Sequence, residues 1–125
     1  MSYDLYLTDP VTGEDLELET PCHIRGGTYA IGGTKKLHLN ITYNYALHYY
    51  RVFGGDDTPE GARGIRSIYG LSGAESIPLL EVAIAQLGDD AADDYWSPTE
   101  GNAKRALLQL KALAFLRPDG IWRGD

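Results

Sequence analysis

The amino-acid sequence predicts an α+β fold: a single compact domain over residues 1–125, with N-terminal antiparallel strands followed by about three helices. Three observations carry this reading. Apolar residues recur at every second position as far as Tyr43, and at about 3.6-residue spacing beyond it. Strand-like and helix-like segments are segregated along the chain rather than interleaved, which is the α+β order. The 125 residues, 43% of them hydrophobic, suit one core and contain no internal repeat, linker or low-complexity segment.

Tyr3-Asp4-Leu5-Tyr6-Leu7-Thr8 alternates with period two, and Leu16-Glu17-Leu18-Glu19 does so again. Asp9-Pro10-Val11-Thr12-Gly13 between them has turn chemistry, so the two runs predict an N-terminal hairpin. Thr20 to Thr34 holds Pro21 and two Gly-Gly pairs around Tyr29-Ala30-Ile31, which predicts a loop or a short second hairpin. Leu37 to Tyr43 alternates again and predicts a strand with Leu37, Leu39, Ile41 and Tyr43 on one face. Asn44 is the expected cap of a first helix running to about Phe53, where Gly54-Gly55 stops it. Ala46, Tyr49, Tyr50 and Phe53 fall along one side of that helix, and Asp56 to Gly64 reads as an exposed polar loop. A second helix is expected to begin between Ser72 and Ser76 and to end at Gly88, with Pro78 in its first turn. Its core positions are Ile77, Leu80, Ala83, Ile84 and Leu87. After an acidic connector, Asp89 to Asp94, the segment Ser97-Pro98-Thr99-Glu100 predicts a capping box with Ser97 as N-cap. The third helix then buries Ala103, Ala106, Leu107, Leu110, Leu113 and Ala114, turns Lys104, Arg105 and Lys111 outward, and ends at Arg117-Pro118-Asp119-Gly120. Ile121-Trp122 is expected to pack back on the body.

The formal net charge of −7 is unevenly distributed. Residues 1–20 carry −6, residues 21–70 carry +3, residues 71–100 carry −7 and residues 101–125 carry +3. The acidic balance argues against direct binding to nucleic acid or to an anionic membrane surface, since the mean field repels polyphosphate. The longest uncharged apolar stretches, such as Ile77 to Leu80 and Ala112 to Leu116, are far shorter than the roughly 20 residues that span a bilayer. Cys22 has no second cysteine to pair with, and Met1 to Tyr6 lacks the basic and apolar start of a secretory signal. Both make a reducing cytoplasm the expected location.

Catalytic and metal motifs are not found. The chain has no CxxC pair, HExxH or EF-hand loop, and Cys22-His23 on a strand would point to opposite faces. The pairs Asp56-Asp57, Asp89-Asp90 and Asp93-Asp94 read as solvated surface acid. No GxSxG elbow places a nucleophile, His38 reads as solvent-facing on its strand, and His48 as lying on the polar side of the first helix. Gly26-Gly27-Thr28 and Gly32-Gly33-Thr34-Lys35 lack the spacing of a phosphate loop. No catalytic residue, metal or cofactor is therefore assigned.

Two binding readings remain. Residues 21–70 hold six of the nine tyrosines and nine of the fifteen glycines along with the positive charge. Arg25, Lys35, Arg63 and Arg66 suit an anion, Gly26, Gly27 and Thr28 suit close backbone approach, and Tyr29, Tyr43, Tyr45 and Tyr69 suit stacking of a base. Together they describe a nucleotide site. The other reading uses Asp4, Asp9, Glu14, Asp15, Glu17 and Glu19, which on a hairpin would line one face with carboxylates and cover a basic nucleic-acid channel on a partner protein.

Gly26-Gly27-Thr28-Tyr29, Asn40 to Tyr45, Gly64 to Gly70, Tyr95 to Ala103 and Arg117-Pro118-Asp119-Gly120 resemble, over nearly the full length, a family of small accessory proteins carried by bacteriophages and mobile elements. The resemblance brings no activity, catalytic residue or cofactor to transfer. It implies a non-enzymatic, anti-defence protein acting by stoichiometric binding, with a host immune effector such as a CRISPR nuclease as the expected partner. A sponge for a nucleotide immune signal is the alternative and a small hydrolase the third. Self-association is left open.

Overall fold

Strand β1 (Ser2–Thr8) is the centre of the fold because its alternation leaves Tyr3, Leu5 and Leu7 buried on one face. The computed structural model describes residues 1–22, 34–55, 58 and 63–125. One edge of β1 pairs antiparallel with β4 (His38–Thr42), from Ser2 opposite Thr42 to Tyr6 opposite His38. The other edge pairs with β5 (Ile121–Gly124), from Leu5 opposite Gly124 to Thr8 opposite Ile121. The sheet order is thus β4-β1-β5. A second, two-stranded sheet joins β2 (Glu17–Cys22) to β3 (Thr34–Lys36).

The expected N-terminal hairpin is therefore corrected. Residues 9–14 do turn the chain back, with Thr8 bridging Asp15 and the Leu16 N–H donating to the Leu7 carbonyl at 2.9 Å. Beyond that point the second arm leaves β1 and pairs with β3, because the flanks of β1 are taken by β4 and β5. Residues 23–33, read as part of a loop or a short second hairpin, lie outside the described residues. The C-terminal strand was not foreseen. Ile121-Trp122 packs on the body as expected, but as a sheet edge, with Trp122 fully buried and its indole N–H donating to Ser76 Oγ at 2.8 Å.

Both edges of the sheet are occupied. Segment 70–72 covers β5 through Gly70 N–H to the Trp122 carbonyl and Trp122 N–H to the Leu71 carbonyl. On β4, the Tyr95 hydroxyl takes the Thr42 N–H at 2.9 Å and reaches the Asn40 carbonyl at 3.5 Å. Filling those edge groups removes a template for further strand pairing.

The three helices follow at the expected places, with displaced ends. Helix α1 (Ala46–Phe53) is preceded by a 3-10 turn over Tyr43–Tyr45, which Thr42 caps by accepting the Asn44 N–H; the N-cap of α1 itself is Tyr45, without a side-chain bond, and not Asn44. The Asn44 amide donates instead to the Trp96 carbonyl. Gly54, at φ 93, ends the helix as predicted. Helix α2 (Gly73–Ala85) begins with a full capping box between Ser72 and Glu75, and 3-10-type bonds of Gln86 and Leu87 finish it before Gly88. Pro78 sits in its second turn rather than its first; it is exposed and donates no bond back to Ala74. Helix α3 (Glu100–Leu116) is capped by Thr99, which accepts the Asn102 N–H, so the capping box at Ser97 does not form. The Glu100 carboxylate that was to complete it instead accepts the Gly88 N–H and the Arg51 guanidinium. All six predicted core residues of α3 are buried. A further 3-10 turn, Gly64–Ile68, buries Ile65 and Ile68 and was not foreseen. No helix among the described residues is long and apolar enough to cross a membrane.

Candidate functional site

The sheet and the 3-10 turn together build a tyrosine-lined cup around one cation. Gly64 opens the turn at φ 47, where a Cβ would stand 2.9 Å from the Tyr50 ring. That close approach sets Arg66 against the end of β1. Its guanidinium carbon lies 4.8 Å from the Tyr3 ring centre and 5.7 Å from that of Tyr43. Nη2 donates to the Tyr43 hydroxyl at 3.1 Å, and Nε donates to the Asp125 main-chain oxygen at 2.8 Å. These bonds use two of the five N–H donors of a guanidinium. Tyr3 and Tyr43 meet edge to face at 4.6 Å. The open cavity beside them, about 370 Å³, is lined by Tyr3, Tyr43, Ala46, Leu47, Tyr50 and Arg66. Burial pushes the Tyr69 hydroxyl up to about 12 and the Tyr3 hydroxyl higher still. Burial thus keeps the Tyr3 hydroxyl protonated at neutral pH beside the positive charge of Arg66, so this part of the cup can offer hydrogen-bond donors to an anion.

Of the residues predicted to hold a nucleotide, Tyr43 and Arg66 come together here. Tyr69 joins them through Asp125, whose main-chain oxygen its hydroxyl approaches at 3.4 Å. Arg25, Gly26, Gly27, Thr28 and Tyr29 lie outside the described residues. Lys35 on β3 and Arg63 before the 3-10 turn are exposed, and neither lines the cup. Tyr45 is in the core, fully buried, with its hydroxyl donating to the Tyr95 carbonyl. Tyr3 and Tyr50 were missed as site residues. Their signal was local only: Tyr3 sits on the apolar face of an alternating run and Tyr50 on a helix, and only the β1–β4 register and the α1 packing bring them to Arg66.

The six acidic candidates divide into two groups. Asp4 accepts from Asn40 Nδ2 at 2.8 Å and lies 3.2 Å from His38 Nε2, and Asp9 accepts the Val11 and Thr12 N–H groups at 2.8 and 2.9 Å. The Thr12 and Val11 amides hold the Asp9 carboxyl below its usual range. Glu14, Asp15, Glu17 and Glu19 are exposed. Asp4, Asp15 and Glu17 also border a groove of about 280 Å³ whose lining includes Leu7, Leu16 and Leu37, with Lys36 and His38 on it too. His38 lies on the outward face of β4 as read, its side chain 40% exposed beside Asp4, and His48 Nε2 donates to the Pro98 carbonyl at 2.8 Å. Asp89 and Asp90, read as solvated, hold Lys104 at 2.6 Å and the Gly101 N–H at 3.2 Å. Among the described residues no three His, Cys, Asp or Glu side chains gather as a metal site. The chain matches no protein-family model, no curated protein and no solved structure.

Proposed function

We propose that the protein is a non-enzymatic accessory protein of a bacteriophage or mobile element that acts by stoichiometric binding to a host defence protein, such as a CRISPR effector. One observation supports the reading: Glu14, Asp15, Glu17 and Glu19 are all exposed, in a stretch of twenty residues without a single basic side chain. A surface of this sign is complementary to a basic nucleic-acid channel and competes with polyphosphate for it. The reading needs no cofactor. Its test is titration of the purified protein into nuclease assays of purified CRISPR effectors. Cleavage should fall in proportion to added protein and vanish near equimolar ratio, and the Glu14, Asp15, Glu17, Glu19→Lys variant should not inhibit. Uninhibited cleavage across the effectors, or full inhibition by that variant, would overturn it.

A second reading, sequestration of a nucleotide immune signal, draws on the cup around Arg66. A thermal-shift screen with cyclic dinucleotides, cyclic ADP-ribose isomers and NAD distinguishes the two, because a ligand at 100 times its dissociation constant adds about 2.7 kcal/mol of stability. A shift with one nucleotide that Arg66→Glu abolishes, in a variant shown folded by circular dichroism, would move the assignment to the sponge.

A further inference from the structure

Helices α2 and α3 expose several large apolar side chains beyond those they bury. Ser76, Leu80 and Ala83 of α2 and Leu107, Leu110 and Ala114 of α3 are buried inward. Yet Val82 is 60% exposed, Phe115 59%, Leu116 51%, Leu108 45% and Leu79 38%, five of the nine large hydrophobics exposed among the described residues. Pro78 and Ala112 are exposed beside them. Large exposed apolar side chains on two adjacent helices are the kind of surface that marks an interface.

The two helices run antiparallel. A Cβ on Gly73 would meet the Ala114 and Arg117 carbonyls, while at the other end Gly88 meets Glu100. This register sets Val82 level with Leu108 and Pro78 level with Ala112. One ion pair crosses the patch, Lys111 Nζ to Glu81 Oε1 at 3.5 Å, with Lys111 Nζ also 5.9 Å from the Phe115 ring centre. The exposed face thus mixes apolar side chains with acid on α2, Glu75 and Glu81, and base on α3, Lys111.

We propose that this face binds a second copy of the chain, in a two-fold dimer with α2 of each protomer over α3 of the other. Charge selects both the occupant and the arrangement. On a molecule of net charge −7, self-association is opposed wherever acid meets acid, and here Lys111 stands beside Glu81, so a second copy can meet each of the two with the opposite sign. A two-fold axis parallel to the helices sets Glu81 against the partner's Lys111, and Lys111 against the partner's Glu81. An axis across the helices would set like charges together. An isologous contact needs this self-complementarity. The two-helix face covers on the order of 500 Å² per copy, toward the small end of specific interfaces, so a dissociation constant in the micromolar range is expected.

Sedimentation velocity on the full chain tests this. The wild type should show a concentration-dependent monomer–dimer equilibrium at micromolar concentrations, and Phe115→Glu should weaken it by about 100-fold or more. Val82→Glu supplies a second apolar variant, and circular dichroism confirms that each is folded. Glu81→Lys and Lys111→Glu should each be monomeric alone, and an equimolar mixture of the two should dimerise again because every cross-copy pair then has opposite signs. A wild type that stays monomeric at the highest soluble concentration, which is the result expected if a different protein covers the face, overturns the proposal. So does a Phe115→Glu variant that dimerises like the wild type, or a mixture of the two charge variants that stays monomeric.

Discussion

Ser76 has two partners at the base of α2: its hydroxyl donates to the Gly73 carbonyl and accepts the indole N–H of Trp122, both at 2.8 Å. Replacing it by alanine leaves a buried donor without an acceptor, and the cost of such a group is about 1–3 kcal/mol. Ser76→Ala should lower the stability read from urea denaturation by that amount, and an unchanged midpoint would show that the indole finds another acceptor. Gly101 poses a contest of signs. Alanine is favoured over glycine in a helix by about 1 kcal/mol, but a Cβ here would stand 2.3 Å from the Ala91 backbone nitrogen. That neighbour is main chain and cannot swing away, so Gly101→Ala should destabilise by more than the propensity gain, with loss of the Asp90 carboxylate to Gly101 N–H bond at 3.2 Å. A variant more stable than the wild type would show that the 89–91 segment yields freely.

The start of α3 shows how competing local signals are resolved. Ser97 and Thr99 are both competent N-caps, and the residues that follow do not choose between them. The choice follows from side chains that reach elsewhere: Glu100 is engaged by Gly88 and Arg51, and the Asn102 amide donates to the Asp94 and Ser97 carbonyls at 3.0 Å each. With its glutamate partner committed, Ser97 becomes part of a turn held by Asn102, and Thr99 takes the cap. Thr99→Ala should therefore cost about 1 kcal/mol in denaturant titrations, with Ser97→Ala costing less. The reverse order would return the cap to Ser97. A related displacement occurs before α1, where a 3-10 turn capped by Thr42 comes first and the helix itself starts after Tyr45 rather than Asn44.

Across the whole molecule the tyrosines act as a set. Burial raises the hydroxyls of Tyr3, Tyr45, Tyr49, Tyr69 and Tyr95 above the ordinary value of 10.0, Tyr69 to about 12. A raised value means that the unfolded chain releases its protons first, so this stability is present below pH 10 and is lost as pH rises toward 12. In an alkaline titration, ionisation of the buried hydroxyls, read as tyrosinate absorbance, should coincide with loss of circular dichroism. Complete ionisation with the fold intact would contradict it. At the acid end the sign reverses. Glu100, held low by the Gly88 N–H and by Arg51, favours the fold above the usual carboxylate range and ceases to do so as pH falls below it. Much of this architecture was legible in the sequence. The α+β class, the β4 alternation, the stop at Gly54 and the buried stripe of α3 follow from residue period and turn chemistry, which are local and need no knowledge of what packs where. Tertiary structure alone decided that β1 pairs with β4 and β5 instead of with its own hairpin arm, that the Thr8 hydroxyl meets a carbonyl 113 residues away, and that Tyr3 and Tyr50 rather than Tyr45 surround Arg66. Each of these depends on register between distant segments, which is set by how the whole core closes and leaves no periodic trace in either segment alone.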